Sequence, residues 1–135
     1  MLVRLLANCP QLQSLELREC MSLRRIQVTR HHLQLKKLTV MHCHNIIEIH
    51  IIAPFLDTFH FFGKFPYIFS LGLVPSLSDV IIMSTLRNYW QSQNNWEIML
   101  IELYHVKVLT LCGSSLQVQI NLLEIYMKKE DDHNF

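Results

Sequence analysis

Apolar residues recur along this chain in one fixed phrase: an apolar residue, two intervening residues, a second apolar residue, one intervening residue and a third. The last two apolar positions are two residues apart, which is the period of a strand with one buried face. The copies are Leu12-Leu15-Leu17, Leu35-Leu38-Val40, Leu56-Phe59-Phe61, Leu77-Val80-Ile82, Val106-Leu109-Leu111 and a weaker Leu122-Ile125-Met127. The pattern therefore predicts a series of short strands, each preceded by a packed apolar residue.

The spacing of these copies is typical of a repeat protein. Successive copies begin 23, 21, 21, 29 and 16 residues apart, and a period in the twenties with this phrase marks a leucine-rich repeat. A single copy cannot bury its apolar side, so neighbouring copies must stack and pair their strands in parallel. We predict an α/β leucine-rich-repeat solenoid with a parallel β-sheet on its concave face. It occupies residues 1–127 in about five to six irregular repeats, followed by a charged, disordered tail over residues 128–135.

The segments between the phrases predict how the chain returns. Aliphatic residues alternate at Leu23-Ile26-Val28 and Ile47-Ile49-Ile51, which favours extended segments on the return side rather than long helices. Prolines stand two residues before three of the phrase leucines, where they constrain the start of each strand: Pro10, Pro54 and Pro75. Apolar residues between Ser84 and Tyr104 recur at roughly helical spacing, with a polar interruption from Gln91 to Asn95, which predicts a helical or helix-loop-helix return segment on the convex side.

The position three residues past the last apolar residue of a phrase changes along the chain. Cys20 and Cys43 hold it in the first two copies, where a small side chain can satisfy buried backbone groups inside a turn. Lys64 and Glu130 hold it later, and we expect looser turns there.

Charge and hydropathy exclude two classes of partner. The chain has 12 basic and 11 acidic residues without a basic stripe, so we do not expect nucleic-acid binding. Its longest apolar runs, such as Val80 to Met83, are far shorter than the ~20 residues of a membrane-spanning helix, so we expect no membrane insertion. No secretory signal is evident and the four cysteines are too sparse for a disulfide scaffold, which favours the cytoplasm or nucleus.

Three segments of the chain carry a resemblance to a known family. Residues 5–20 resemble the leucine-rich repeats of plant F-box proteins. The run Ile52-Ala53-Pro54-Phe55-Leu56-Asp57-Thr58-Phe59-His60-Phe61-Phe62-Gly63 is similar to a segment of the F-box/leucine-rich-repeat family that often ends in an FBD domain. The segment Leu73-Val74-Pro75-Ser76-Leu77 follows in the same order as in that family. The resemblance covers roughly residues 5–120.

This resemblance implies substrate recognition in a cullin-based ubiquitin ligase. In that family the repeats hold the substrate, while an F-box of about 40–50 residues at the N-terminus holds the adaptor Skp1. The present chain starts inside the repeats, and its end after Leu111 is short for an FBD domain. We therefore expect Skp1 binding only if an F-box exists upstream in a longer product.

The residues beside each inward pair should point outward onto the sheet. Among them an apolar strip, defined as Met41, Phe62, Ile81 and Met83, is predicted to bind a protein partner, because large exposed apolar patches mark interaction sites. Polar neighbours on the same face are expected to add selectivity: Glu16, Arg18, Lys37, His60 and Asp79. A register slip of one residue would instead bury this set, and a covering segment would hide it.

Other chemistries find little support. His42-Cys43-His44, with His31, His32 and His50 nearby, suggests zinc, but His42 and His44 would point away from Cys43 in an extended segment. No nucleophile elbow or phosphate-binding glycine loop is present, so we predict no enzyme, metal or cofactor. Two alternatives stay open. One is a metal-dependent enzyme. The other is a truncated repeat fragment without independent function, favoured by apolar residues at the start that look uncapped: Leu2, Val3, Leu5 and Leu6.

Overall fold

The chain folds as a solenoid of two parallel sheets. A computed structural model describes residues 2–29, 34–64, 66–72, 74–85, 102–103 and 105–111. Its elements are α1 (Leu2–Asn8), β1 (Ser14–Arg18), β2 (Arg25–Val28), β3 (Lys37–Met41), β4 (Glu48–Ile51), β5 (Thr58–Lys64), β6 (Ile68–Leu71), β7 (Asp79–Thr85) and β8 (Val108–Leu111). One sheet has the order β1-β3-β5-β7-β8 and the other β2-β4-β6. Three successive turns each contribute one strand to each sheet, which confirms the predicted leucine-rich-repeat solenoid.

The apolar residues of the repeated phrase lie on the core-facing side of the five-stranded sheet. Its strands pair in the register that the phrase predicts, so that Leu15 lies beside Leu38, then Phe59, Val80 and Leu109. The first four of these are buried, whereas Leu109 on β8 is more exposed. The period of two within each phrase therefore places one apolar side against the core and the other side outward.

The return segments form the second sheet. β2 and β4 occupy the two predicted extended segments, and their inward residues are fully buried: Ile26, Val28, Ile49 and Ile51. β6 supplies Phe69 and Leu71 to the same layer. Phe69 meets Phe59 of the five-stranded sheet edge-on, with ring centroids 5.8 Å apart. The hydrophobic core thus lies between the two sheets.

The prolines define the turns that lead into the phrase strands. The amide of Leu12 donates a hydrogen bond to the carbonyl of Cys9 at 3.1 Å, and Leu56 and Leu77 donate likewise, each at 3.1 Å, to Ala53 and Val74. Each proline is the second residue of one of these four-residue turns, a position for which its fixed φ is suited. Each turn ends on the phrase leucine and so presents that side chain to the core.

Cys43 fills the turn after β3, as predicted. Its buried thiol accepts a hydrogen bond from the amide of Cys20 at 3.3 Å and lies 3.6 Å from the carbonyl oxygens of Leu17 and Met41. Burial raises the pKa of the Cys43 thiol above its ordinary value. A protonated, buried thiol is a poor nucleophile, so Cys43 is a structural residue of the repeat.

The third and fourth copies lack this turn. β5 continues through Gly63 and Lys64, and β7 continues through their pairing partners Ser84 and Thr85. The looser turn predicted at Lys64 is therefore wrong, because the chain stays extended where no small side chain closes it. The helical segment predicted to begin at Ser84 is also wrong at its start, since Ser84 and Thr85 belong to β7. Most of the remainder of that segment, the sixth copy and the charged tail lie outside the described residues.

The uncapped apolar surface predicted at the start of the chain is wrong for Leu2 and Leu6. Leu2 and Leu6 are one helical turn apart on α1, and both are buried against the core, whereas Leu5 is exposed. The helix packs against β2. Across the described residues, no helix combines the length and apolarity that a bilayer span requires.

Candidate protein-interaction face

The outer face of the five-stranded sheet carries the predicted site residues in three columns. The register aligns Ser14-Lys37-Thr58-Asp79-Val108, Glu16-Thr39-His60-Ile81-Thr110 and Arg18-Met41-Phe62-Met83. Parallel strands are about 4.8 Å apart, so side chains in one column touch along it. The structure brings all nine predicted residues onto this one face, and the slip of one residue that would bury them does not occur.

The apolar strip is continuous across three strands. Met41 pairs with Phe62, and Phe62 pairs with Met83, while Ile81 lies one column away beside His60. Met83 is 40% exposed, and the other three side chains are half-buried against their neighbours. Unbranched methionines on either side of a phenylalanine can adapt to the shape of a bound surface.

An ion pair lies at the β1 end of the strip. The Nη2 of Arg18 is 2.8 Å from the Oε1 of Glu16 and 3.6 Å from the sulfur of Met41. Both charged side chains are more than half exposed, so the pair adds only about 0.2–1 kcal/mol to stability. Its main consequence is positional, because it holds the guanidinium beside the apolar strip.

His60 connects the polar and apolar parts of the face. Its Nε2 lies 3.5 Å from the Oδ2 of Asp79, and its ring is perpendicular to that of Phe62 at a centroid distance of 6.4 Å. The sequence did not predict either contact. The signal was available in the register, since Asp79 is two residues before the partner of His60 and therefore lies diagonally across from it.

The histidines around Cys43 do not converge on a metal. His42 and His44 are exposed with ring centroids 6.1 Å apart, whereas Cys43 is buried in the turn after β3 and hydrogen-bonded to backbone groups. In the part of the chain that the structure describes, no three His, Cys, Asp or Glu side chains are grouped so as to hold a metal ion. His31 and His32 lie outside the described residues.

The Glu102 carboxylate forms a hydrogen bond with the backbone of the second sheet. The Oε2 of Glu102 accepts a hydrogen bond from the amide of Leu71 on β6 at 2.9 Å. Burial raises the pKa of the Glu102 carboxyl, while this hydrogen bond opposes the rise. Glu102 therefore satisfies a ladder group on β6, a role that the sequence pattern did not reveal.

A family model described as At1g61320/AtMIF1, LRR domain, matches residues 1–129. No curated protein and no solved structure matches the chain. The matched range includes every described strand of both sheets, in agreement with the repeat architecture.

Proposed function

Since the chain belongs to the At1g61320/AtMIF1 leucine-rich-repeat (LRR) domain family, we propose that it is a noncatalytic protein-recognition module. Stacked repeats of this kind present a continuous surface that is used for binding rather than for chemistry. The partner docks on the outer face of the five-stranded sheet, which we take to be the concave face.

The apolar strip is the observation that supports this proposal. Covering Met41, Phe62, Ile81 and Met83 would stabilise a complex by about 25 cal/mol for each Å² of apolar surface removed from water. Phenylalanine and methionine are enriched at the centre of interfaces, and charges are more frequent at the rim. The flanking Glu16, Arg18, Lys37, His60 and Asp79 fit that rim and would select a partner of complementary charge.

We further propose that the partner is a ubiquitin-ligase substrate. Support for this finer role comes from the resemblance of residues 52–63 to the F-box/leucine-rich-repeat family. Skp1 would join only through an F-box upstream in a longer product. On this proposal residues 1–127 form the recognition domain, residues 128–135 form a tail, and the complex assembles in the cytoplasm or nucleus.

We expect the double variant Phe62→Ala with Met83→Ala to lose the partner. Two truncated anchors, each contributing about 1–2 kcal/mol, should weaken binding by roughly 30- to 1000-fold. The measurement is capture from a cell extract on the immobilised chain, quantified by mass spectrometry against the wild-type chain.

The chain offers a matched control in which one methionine and one phenylalanine are again replaced by alanine. Met21 and Phe55 are 46% and 53% exposed, and both lie in turns away from the outer face. The variant Met21→Ala with Phe55→Ala should retain every partner that the wild-type chain captures. Equal loss of partners in the two double variants, or retention in both, would show that the apolar strip is not the docking site.

A further inference from the structure

A cavity with a positively charged wall lies where the turn after β3 meets the starts of β4 and β6. Its volume is about 160 Å³, and its wall includes Arg24, His44, Asn45, Lys64 and Tyr67. None of the described residues that line it is acidic. It shares no residue with the apolar strip.

Backbone hydrogen bonds fix the positions of the wall. The carbonyl of Arg24 accepts hydrogen bonds from the amides of Ile47 at 2.7 Å and Glu48 at 3.3 Å. The carbonyl of Ile47 accepts a hydrogen bond from the amide of Ile68 at 3.1 Å. Arg24, Ile47 and Tyr67 therefore stand at one level, immediately before the three strands of the second sheet. Residues from three successive repeats thus meet at this cavity.

Lys64 occupies the position that holds cysteine in the first two copies. Because β5 continues to Lys64 instead of turning at a buried thiol, the lysine side chain is half-buried at the cavity rather than enclosed in the core. Its Nζ lies 5.7 Å from the centroid of the Tyr67 ring, a cation–π contact that orients the ammonium group. The departure from the repeat pattern therefore places a cation in this wall.

Among the described residues, Arg24 and Lys64 differ from the neighbouring basic residues in having no carboxylate as an ion-pair partner. Arg25 lies 3.0 Å from Glu48, and Arg18 lies 2.8 Å from Glu16. Within the described ranges, no carboxylate forms an ion pair with Arg24 or Lys64. Two cations that share a cavity repel each other, and a bound anion converts that repulsion into attraction.

We propose that this cavity binds a phosphate monoester dianion. One water molecule occupies about 30 Å³ in the liquid. A cavity of about 160 Å³ therefore accommodates a tetrahedral phosphate group together with water. The forked guanidinium of Arg24 matches two phosphate oxygens, and the ammonium of Lys64 supplies a compact second charge. His44 adds a ring N–H at the exposed rim. Inorganic phosphate and a phosphorylated side chain of a protein present the same chemistry to this wall.

The test is a titration of the full ¹⁵N-labelled chain followed by NMR, with sodium phosphate and, separately, sodium chloride at matched ionic strength. Phosphate should shift the amides of Ile47 and Tyr67 along saturable curves, and chloride should not. The variants Arg24→Gln and Lys64→Gln should each weaken phosphate binding on the order of tenfold, because each removes a charge-assisted hydrogen bond. Unchanged dispersion of the remaining amide signals checks that each variant is folded.

The matched control is Arg25→Gln, which removes an adjacent charge that Glu48 already neutralises. Its affinity for phosphate should stay within about twofold of the wild-type value, since charges outside the cavity contribute little at moderate salt. Non-saturable shifts, or an equal loss of affinity in Arg24→Gln and Arg25→Gln, would overturn the site in favour of general surface electrostatics.

Two further arms distinguish the source of the anion and the dependence on the apolar strip. A phosphoserine peptide that binds more tightly than inorganic phosphate, while its unphosphorylated form does not bind, identifies a phosphorylated protein segment as the ligand. Equal affinity for the two identifies the free anion. The double variant Phe62→Ala with Met83→Ala should bind phosphate normally, so failure of one site leaves the other testable.

Discussion

Replacing Phe59 by alanine is expected to lower the free energy of unfolding by about 3–5 kcal/mol. The Phe59 side chain is fully buried, and its ring meets that of Phe69 across the core. It also lies between Leu38 and Val80 in the five-stranded sheet. Truncation would leave a cavity where the two sheets meet, and neither sheet can close it without breaking its register.

Denaturant unfolding followed by circular dichroism measures this loss. The control is Phe55→Ala, which removes the same side chain from an exposed turn position and should change the free energy of unfolding by no more than about 0.5 kcal/mol. Since small domains are stable by only about 5–15 kcal/mol, the Phe59 variant should lose a substantial share of its stability. Similar losses at the two positions would contradict the central place of Phe59 between the sheets.

Replacing Ile26 by aspartate is expected to prevent folding. Ile26 is fully buried on β2, where a carboxylate would lose its hydration without gaining a partner. The cost of burying an unpaired charge amounts to several kcal/mol, and is comparable to the whole stability of a small domain. The measurement is far-ultraviolet circular dichroism with thermal unfolding, and we expect no cooperative transition.

Gln27 is the matched control for this change. It is the next residue on β2 and is exposed on the outer side of the second sheet. Gln27→Asp should therefore unfold within a few degrees of the wild-type chain, because its carboxylate stays in water. A folded Ile26→Asp variant would show that the return segment is not a buried strand.

Much of the fold is predictable because equivalent positions of successive phrases pair with each other. The last two apolar positions of a phrase determine which side of the strand is buried, and the spacing between copies determines the parallel partner strand. The columns of the outer face follow directly, since a residue beside a buried one must point outward. All nine predicted site residues share this face for that reason.

The features that were missed depend on contacts between distant segments. β6 could not be predicted because apolar residues occupy nearly every position around Ile68–Leu71, which removes the alternation that marks a strand. The burial of Leu2 and Leu6 depends on the packing of α1 against β2, which no local pattern predicts. The sequence also could not show that β5 would continue to Lys64, since the lysine itself was compatible with a turn.

The side-chain contacts of the site were equally hidden. The strand register places Arg18 and Met41 side by side. It does not predict that the Arg18 side chain forms an ion pair with Glu16 on the same strand. The cavity at Arg24 and Lys64 is assembled from three repeats, so its members lie about 20 residues apart along the chain. A cluster of like charges of this kind becomes visible only when the repeats are stacked.

The most direct test of the proposed function is photo-crosslinking from the apolar strip itself. p-Benzoylphenylalanine would replace Phe62 in one chain and the exposed Phe55 in another, and each chain would be irradiated in the same cell extract. We predict that position 62 yields crosslinks to a discrete partner protein, and that position 55 does not. Crosslinks of equal yield and identity from both positions, or none from position 62 while the unmodified chain still captures that partner, would contradict recognition through this face.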